Sequence, residues 1–523
     1  MRVTMIAAEC EPWAKTGGLA DVVDALARAL GRQPGGRVEG PVDVFLPRYR
    51  SVDVPKDAKT SAVRVPDAMS ADGATEVTIV DVAADGYRLR LVDHPAAFDR
   101  PEFYGDAAGD YPDNAWRFGL FCRAALETTR AEGRPADVLS LHDWHAGAAA
   151  IFRDRWYRDD PVVGGTAALM TIHNLAYHGW VPRDRLRELG LAPGDQGIAR
   201  DADGLDLLRA GIERSELANT VSPGFASEAL TPEYGMGLDG VLRAKGDRFF
   251  GILNGLDNAV WNPATDTALA RNYSAADRTG KAGCRRNLLA TVGLDQDDTG
   301  TVIGMIGRLD PQKGFDLLTS AAKGLLSRGA RLVVLGSGDA KLVAELRVLA
   351  ELRPDAIALI ERFDRVLARK IYAGIDLFVM PSRFEPCGQG QMIALRYGSP
   401  PIVRRTGGLR DTVVDELTAP GRGTGFAFDD ATPDALFGAC DAAITAYEAG
   451  GAAWDGLVSR GMAVDFDWTT GSAPRYVEAF ERAIAIRRGA EVAPAGPPSR
   501  RSTPSRSSPS RSSLKDGRSP RPG

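Results

Sequence analysis

The sequence predicts an α/β protein built from two doubly wound lobes, each a mainly parallel sheet flanked by helices. Three observations carry this. Strand-like apolar runs alternate with helical patterns through most of the chain, the mark of parallel strands joined by helical crossovers. At 523 residues the chain is too long for one core, so two or three domains are expected. One phrase also occurs nearly twice, 390 positions apart: residues 15–23 read KTGGLADVV and residues 405–413 read RTGGLRDTV.

Each copy follows a short apolar run, Val3 to Ala8 or Pro401 to Val403, and precedes a helix-like stretch. A cation followed by two glycines at a strand-to-helix turn suits a bound anion. Glycine lets the backbone come close, the helix N-terminus offers N–H groups, and the cation adds charge. Gly-Gly can also make a tight turn and nothing more, and short glycine motifs recur by chance. Two copies near opposite ends suggest two similar lobes facing one phosphorylated ligand.

Residues 1–8, with one Arg and a short apolar run, read as a first strand rather than a signal peptide. Further strands are expected at 42–46, 138–141 and 168–172 in the first lobe, and at 301–306, 331–335 and 377–380 in the second. Residues 76–80 and 87–91 read instead as an antiparallel excursion from the first lobe. The turn-rich stretch 254–263 looks like the connection between lobes. Residues 468–487 carry an amphipathic helical pattern with Tyr476, Val477, Phe480 and Ile484 on one side. After Gly489 the composition collapses to Ser, Pro, Arg and Gly, which cannot form a core and should be disordered.

Hydrophobic content of 44% and charged content of 25% are ordinary for a soluble globular protein. No apolar run approaches the length of a membrane span. The five cysteines are scattered, with no CxxC pair, which argues against a zinc knuckle or a disulfide framework and fits a reducing cytoplasm. From Arg487 onward nine Lys/Arg face two Asp/Glu, a net +7, which leaves −12 on the rest of a chain whose total is −5. An acidic body must hold an anionic ligand with a local cationic pocket rather than its overall field. The basic tail could touch RNA or acidic partners; it is read as a passive, solvated segment.

Four of the five histidines fall between positions 142 and 178. His142-Asp143-Trp144-His145 follows one predicted strand and His173-Asn174 follows the next, at the strand ends where α/β folds present ligand groups. Zinc is conceivable on His142 and His145, but no complete ligand set such as HExxH accompanies them. A wall of imidazole, carboxylate and amide facing a sugar is the better reading. In the second lobe, residues 307–314 read GRLDPQKG and put Arg308 and Lys313 five positions apart across a turn, so that both can meet one diphosphate. Gly336-Ser337-Gly338-Asp339 supplies another backbone turn at that edge. Residues 381–391 read PSRFEPCGQGQ: a carboxylate, Glu385, before a glycine-rich helix start, suited to sugar hydroxyls beside phosphate.

KTGGLADV, HDWHA, IHNLAYHG, TVSPGFA, ILNGLD, GRLDPQKG, SRFEPCG and VRRTGGLRDTV stand in the order found in bacterial glycogen synthases and plant starch synthases. Over roughly residues 1–487 the chain thus resembles glycosyltransferase family 5. The loop 98–118, with Arg100, Tyr104, Asn114 and Arg117, also looks like that family's loop near the sugar. The resemblance implies a GT-B fold: two Rossmann-like lobes, 1–262 on the acceptor side and 263–466 binding the nucleotide sugar, facing a cleft. It also implies a helix, 467–488, that crosses back onto the first lobe; the tail 489–523 lies outside it. The implied reaction transfers glucose from ADP-glucose to the non-reducing 4-hydroxyl of glycogen or another α-1,4-glucan, with retention. No cofactor, metal or membrane is implied.

Carried over by position, Lys15 contacts the donor phosphates beside the Gly17-Gly18 turn, and Arg308 and Lys313 neutralise the leaving ADP. Glu385 binds glucose hydroxyls. His173 sits near the anomeric carbon and the 6-hydroxyl, Asp143 and Asn174 fix the glucose, and Asp21 and Asn254 line the donor pocket. Gly388, Gly390, Thr406 and Gly407 complete the donor side. Phe363 stands where the family has a tyrosine stacked on adenine. The family form Leu-Thr-Gln after EPCG is here Gln389-Gly390-Gln391, which loses a hydroxyl. Ile393 stands where related retaining transferases carry the second Glu of an E-x7-E motif. The alternatives are UDP-glucose or a small acceptor, or a glucan- or nucleotide-sugar-binding protein without turnover.

Overall fold

The computed structural model describes residues 1–192 and 203–490. The expected disordered tail lies, from residue 491 on, outside the described residues. The first lobe is one nine-stranded sheet. Its strands are β1 (Val3–Ile6), β2 (Val42–Pro47), β3 (Lys59–Pro66), β4 (Ala74–Ala83), β5 (Tyr87–Asp93), β6 (Val138–His142), β7 (Ala167–Ile172), β8 (Leu217–Thr220) and β9 (Phe249–Gly251). The order is β9-β8-β7-β6-β1-β2-β5-β4-β3. The sheet is parallel except where β4 pairs antiparallel with both β3 and β5, which is the expected excursion. β1, β2, β6, β7 and β8 are buried along their whole length, as a sheet covered on both faces requires.

The helices Gly18–Gly31 and Ala473–Arg487 pack together against this sheet, and Asn114–Ala131, Asp143–Arg155 and Leu207–Arg214 form a second group. Tyr476, Val477 and Phe480 of the last helix are buried in the first lobe's core. The Tyr476 hydroxyl sits 3.3 Å from Asn219 Nδ2 on β8, so the chain finishes in the lobe where it began.

The second lobe has six parallel strands: β10 (Val302–Ile306), β11 (Arg331–Leu335), β12 (Ile357–Ile360), β13 (Leu377–Met380), β14 (Pro401–Arg404) and β15 (Phe426–Phe428). Their order, β12-β11-β10-β13-β14-β15, reverses between β10 and β13, and that switch point is where such a sheet opens a crevice at its carboxyl edge. Two apolar clusters lie on its two faces, one under the helices Phe315–Ser327, Ala340–Leu352 and Pro433–Ala449, the other under Thr279–Val292, Arg365–Gly374, Gly390–Arg396 and Gly451–Met462. Two stretches of chain join the lobes side by side, tied where Leu256 N–H donates to the Phe466 carbonyl at 2.6 Å. Among the described residues no helix is long and apolar enough to cross a membrane.

Candidate active site

Three bridges bring the carboxyl edges of the two sheets face to face. Glu11, after β1, meets Arg365, after β12, at 2.9 Å. Ser222 Oγ, after β8, donates to the Pro386 carbonyl, after β13, at 2.5 Å. Glu228 accepts from Gly407 N–H, after β14, at 2.9 Å. The loops following β6 and β7, with Asp143 and His173, and those following β10 and β11, with Arg308, Lys313 and the Gly336-Ser337-Gly338 turn, therefore border the cleft between these bridges.

On the second-lobe side Asp310 caps the short turn Pro311–Lys313 by accepting Lys313 N–H at 2.9 Å. Gly314 follows at φ 74°. A β-carbon there would lie 2.4 Å from the Pro381 carbonyl, so only glycine lets this turn press on the next loop. The result sets Lys313 Nζ 2.6 Å from Glu385 Oε2, which also accepts from Ser382 Oγ at 3.1 Å. Glu385 is buried. Arg308 is the exposed member: its side chain is 75% exposed and touches Asp310 at 3.3 Å.

Across the cleft, Asp143 adopts φ 55° and uses Oδ1 to accept His173 N–H at 2.7 Å and Asn174 N–H at 3.4 Å. One carboxylate thereby positions the loop after β7. Burial raises its pKa to about 7, more than those N–H donors lower it. His173 Nε2 lies 3.0 Å from His142 Nδ1, and His142 Nε2 lies 3.1 Å from Ser140 Oγ. Burial lowers the His173 pKa to about 3, so its imidazole is neutral near pH 7. His142 and His145 have different neighbours. His145 is stacked among Trp144, Tyr104 and Phe118 instead.

The two glycine turns hold carboxylates of the chain itself. Buried Glu9 accepts from Thr16 N–H and Oγ1 at 2.6 Å each, from Gly17 N–H at 3.0 Å, and from the Tyr104 hydroxyl at 2.7 Å. Glu228 does the same for the second copy, taking Thr406 Oγ1 at 3.1 Å and Gly407 N–H at 2.9 Å from the other lobe. In each copy, backbone N–H of the Thr-Gly turn thus donates to a glutamate of the chain itself. Sequence reasoning passed over Glu9 and Glu228. Glu9 left a signal, a lone carboxylate inside the apolar run 5–10; Glu228 left none.

Lys15 is shared by Asp21 at 2.5 Å and Glu11 at 3.3 Å. A β-carbon on Gly17 or Gly18 would meet nothing within 4 Å, so the front of that turn is open. Asn254 Oδ1 is buried without a hydrogen bond. Gly388 takes φ 74°. A β-carbon at Gly390 would crowd Phe378 at 3.0 Å and the Tyr372 hydroxyl at 3.2 Å. A side chain at 390 would therefore require those rings to shift by a few tenths of an ångström. Phe363 is 82% exposed.

Residues 2–244 match the starch synthase catalytic domain and residues 292–449 the glycosyl transferases group 1 family. The glycogen synthase of Syntrophotalea carbinolica is 41% identical over 495 residues, 93% of this chain and 99% of that protein. That of Anaeromyxobacter dehalogenans is 42% identical over 489 residues, 93% and 99% of the two chains. The chain belongs to the glycogen synthase family. It is a glucosyltransferase whose function is glycogen synthesis. The catalytic domain of starch synthase IV from Arabidopsis thaliana, solved with ADP and acarbose, superposes with a TM-score of 0.82 at 33% identity, covering 92% of this chain and 99% of that one. Sucrose-phosphate synthase from Thermosynechococcus elongatus shares the two-lobed fold, with a TM-score of 0.57 at 18% identity over 93% of this chain and 99% of that one. The family identity agrees with the GT-B fold expected from the motifs.

Proposed function

We propose that this glycogen synthase family member uses ADP-glucose as donor and transfers its glucose, with retention, to the non-reducing 4-hydroxyl of an α-1,4-glucan. The observation that carries the reading is the Lys313–Glu385 pair at 2.6 Å, a cation beside a buried carboxylate at the switch point. Lys313 and Arg308 meet the diphosphate while Glu385 accepts hydrogen bonds from glucose hydroxyls. Lys15 reaches the same diphosphate from the first lobe, over the open Gly17-Gly18 turn, with Asp21 and Asn254 lining the pocket. Gly388 and Gly390 present backbone to phosphate, and Phe363 offers its exposed ring to the adenine. His173, kept neutral by burial, and Asn174 face the sugar from the first lobe, held in place by Asp143. Thr406 and Gly407, engaged by Glu228, shape the cleft by joining its walls. The relative solved with ADP and acarbose bound lends support to a nucleotide and an oligosaccharide as ligands.

As the bond from the anomeric carbon to the phosphate oxygen breaks, negative charge grows on ADP and positive charge on the ring. Pre-placed cations stabilise the first. The acceptor O4 forms the new bond on the same face, and its proton passes to the departing phosphate oxygen. No metal or cofactor is part of this proposal, and the setting proposed is the cytoplasm, where the five buried free thiols stay reduced. The deciding experiment is nucleotide release from ADP-glucose and UDP-glucose, with and without glycogen, beside a Glu385→Ala control. Glycogen-dependent ADP release that collapses in the control is expected. Release from UDP-glucose alone would move the donor, and a trapped glucosyl–enzyme adduct would contradict the mechanism.

A further inference from the structure

Two charged residues that the proposed chemistry leaves unused, Glu11 and Arg365, join the lobes beside Lys15. Arg365 Nη2 lies 2.9 Å from Glu11 Oε1 across the lobes. The second oxygen of that carboxylate faces Lys15 Nζ at 3.3 Å, and Lys15 is held again by Asp21 Oδ1 at 2.5 Å. Arg365 opens the helix Arg365–Gly374, whose start is fixed where Asp364 Oδ1 accepts Leu367 N–H at 2.9 Å. Phe363 stands two residues before it. Burial pushes the Glu11 carboxyl up, but Arg365 and Lys15 together hold it below the usual carboxylate range. Glu11 is therefore an anion at neutral pH, facing one cation from each lobe.

We propose that Arg365 is a positioning residue of the donor site: on lobe closure it takes up the charge of Glu11 and so releases Lys15 toward the donor diphosphate. The inference rests on the reading of Lys15 given above. Two cations on one carboxylate each weaken the other's hold: Arg365 Nη2 takes Oε1 at 2.9 Å and leaves Lys15 only Oε2, at 3.3 Å. Without Arg365, Lys15 stays with Glu11 and Asp21, and drawing it onto phosphate is harder. With Arg365 in place, binding of the second lobe and readiness of the first are one event. The Arg365 side chain is 61% exposed, so the effect is modest, about three- to fivefold in affinity.

The test is a cycle of Arg365→Gln, Glu11→Gln and the double variant. ADP binding is measured by calorimetry, and initial rates with ADP-glucose and glycogen are measured at low salt. R365Q is expected to weaken ADP binding and raise KM about three- to fivefold, with kcat within about twofold. In the E11Q background the same change should do nothing, and about 0.5 M salt should erase it in the parent. A loss that persists in E11Q would overturn the proposal, because Arg365 would then touch the nucleotide itself. Unchanged affinity in R365Q would overturn it too. If the parent enzyme bound no ADP, the donor reading would fall and take this inference with it; parent binding with an unaffected R365Q sinks the inference alone.

Discussion

Glu228 of the first lobe accepts the backbone N–H of Gly407 in the second at 2.9 Å, and the hydroxyl of Thr406 beside it at 3.1 Å. Gly407 sits at φ 43°, and a β-carbon there would lie 2.0 Å from the Glu385 carbonyl. The clamp therefore bears on the turn that carries the cleft's buried carboxylate.

Glu228→Ala removes these charge-assisted bonds, worth roughly 2–3 kcal/mol of lobe-to-lobe contact. The ligand-free enzyme should expand, and glycogen-dependent turnover should fall about three- to tenfold. Small-angle scattering with an unchanged radius of gyration would refute the clamp.

Lys313→Ala strips a buried carboxylate of its cation. Activity should fall about a hundredfold or more, and the melting temperature should drop as well, since an unpaired buried charge destabilises. Adding Glu385→Gln should recover the melting temperature and leave activity lost. Calorimetry and nucleotide-release assays on the single and double variants separate the two effects.

Asp143 gives the fold a pH signature. The unfolded chain releases this proton near pH 4, whereas the folded chain holds it to about pH 7. The folded state binds more protons across that window, so this residue's contribution to stability falls as pH rises from about 4 to 7. Asp143→Asn keeps the acceptor for His173 and abolishes the titration. Its melting temperature relative to the parent should climb through that window and then level off; a flat difference would contradict the raised pKa. The neutral His173 works in the opposite sense. Its stability contribution is complete above the unfolded value near 6.5 and is lost as pH falls toward about 3.

Phe363→Ala removes an exposed ring. ADP affinity should fall about tenfold, the range expected for losing a base–aromatic stack, with no change in melting temperature. Equal ADP affinity would move the base elsewhere.

The parallel strands were legible because burial on both faces writes itself as an apolar run. The strand expected at 377–380 is observed as Leu377–Met380, and that at 138–141 extends by one residue to His142. Lys313 and Glu385 were each legible as site candidates from motifs at two adjacent strand ends, but their 2.6 Å contact was not. What the sequence concealed were partners set only by tertiary contact. Glu228 reads as a helix-surface carboxylate, and Arg365 as one of many exposed arginines, until the lobes come together. At the glycine turns, a nest for a ligand's phosphate and one for the chain's own carboxylate have the same local sequence, so Glu9 and Glu228 could not be read as partners of these turns.

The last helix, buried against β7 and β8, makes the second lobe an insertion inside the first. During synthesis the first lobe's core stays incomplete until residues near 487 leave the ribosome, roughly 12–46 s after residue 256 at elongation rates of about 5–20 residues per second. The second lobe holds all its strands between 302 and 428 and can close while its host still waits. A ribosome stalled in that interval would carry a finished second lobe on an unfinished first one, and chaperone demand should fall on the first 250 residues.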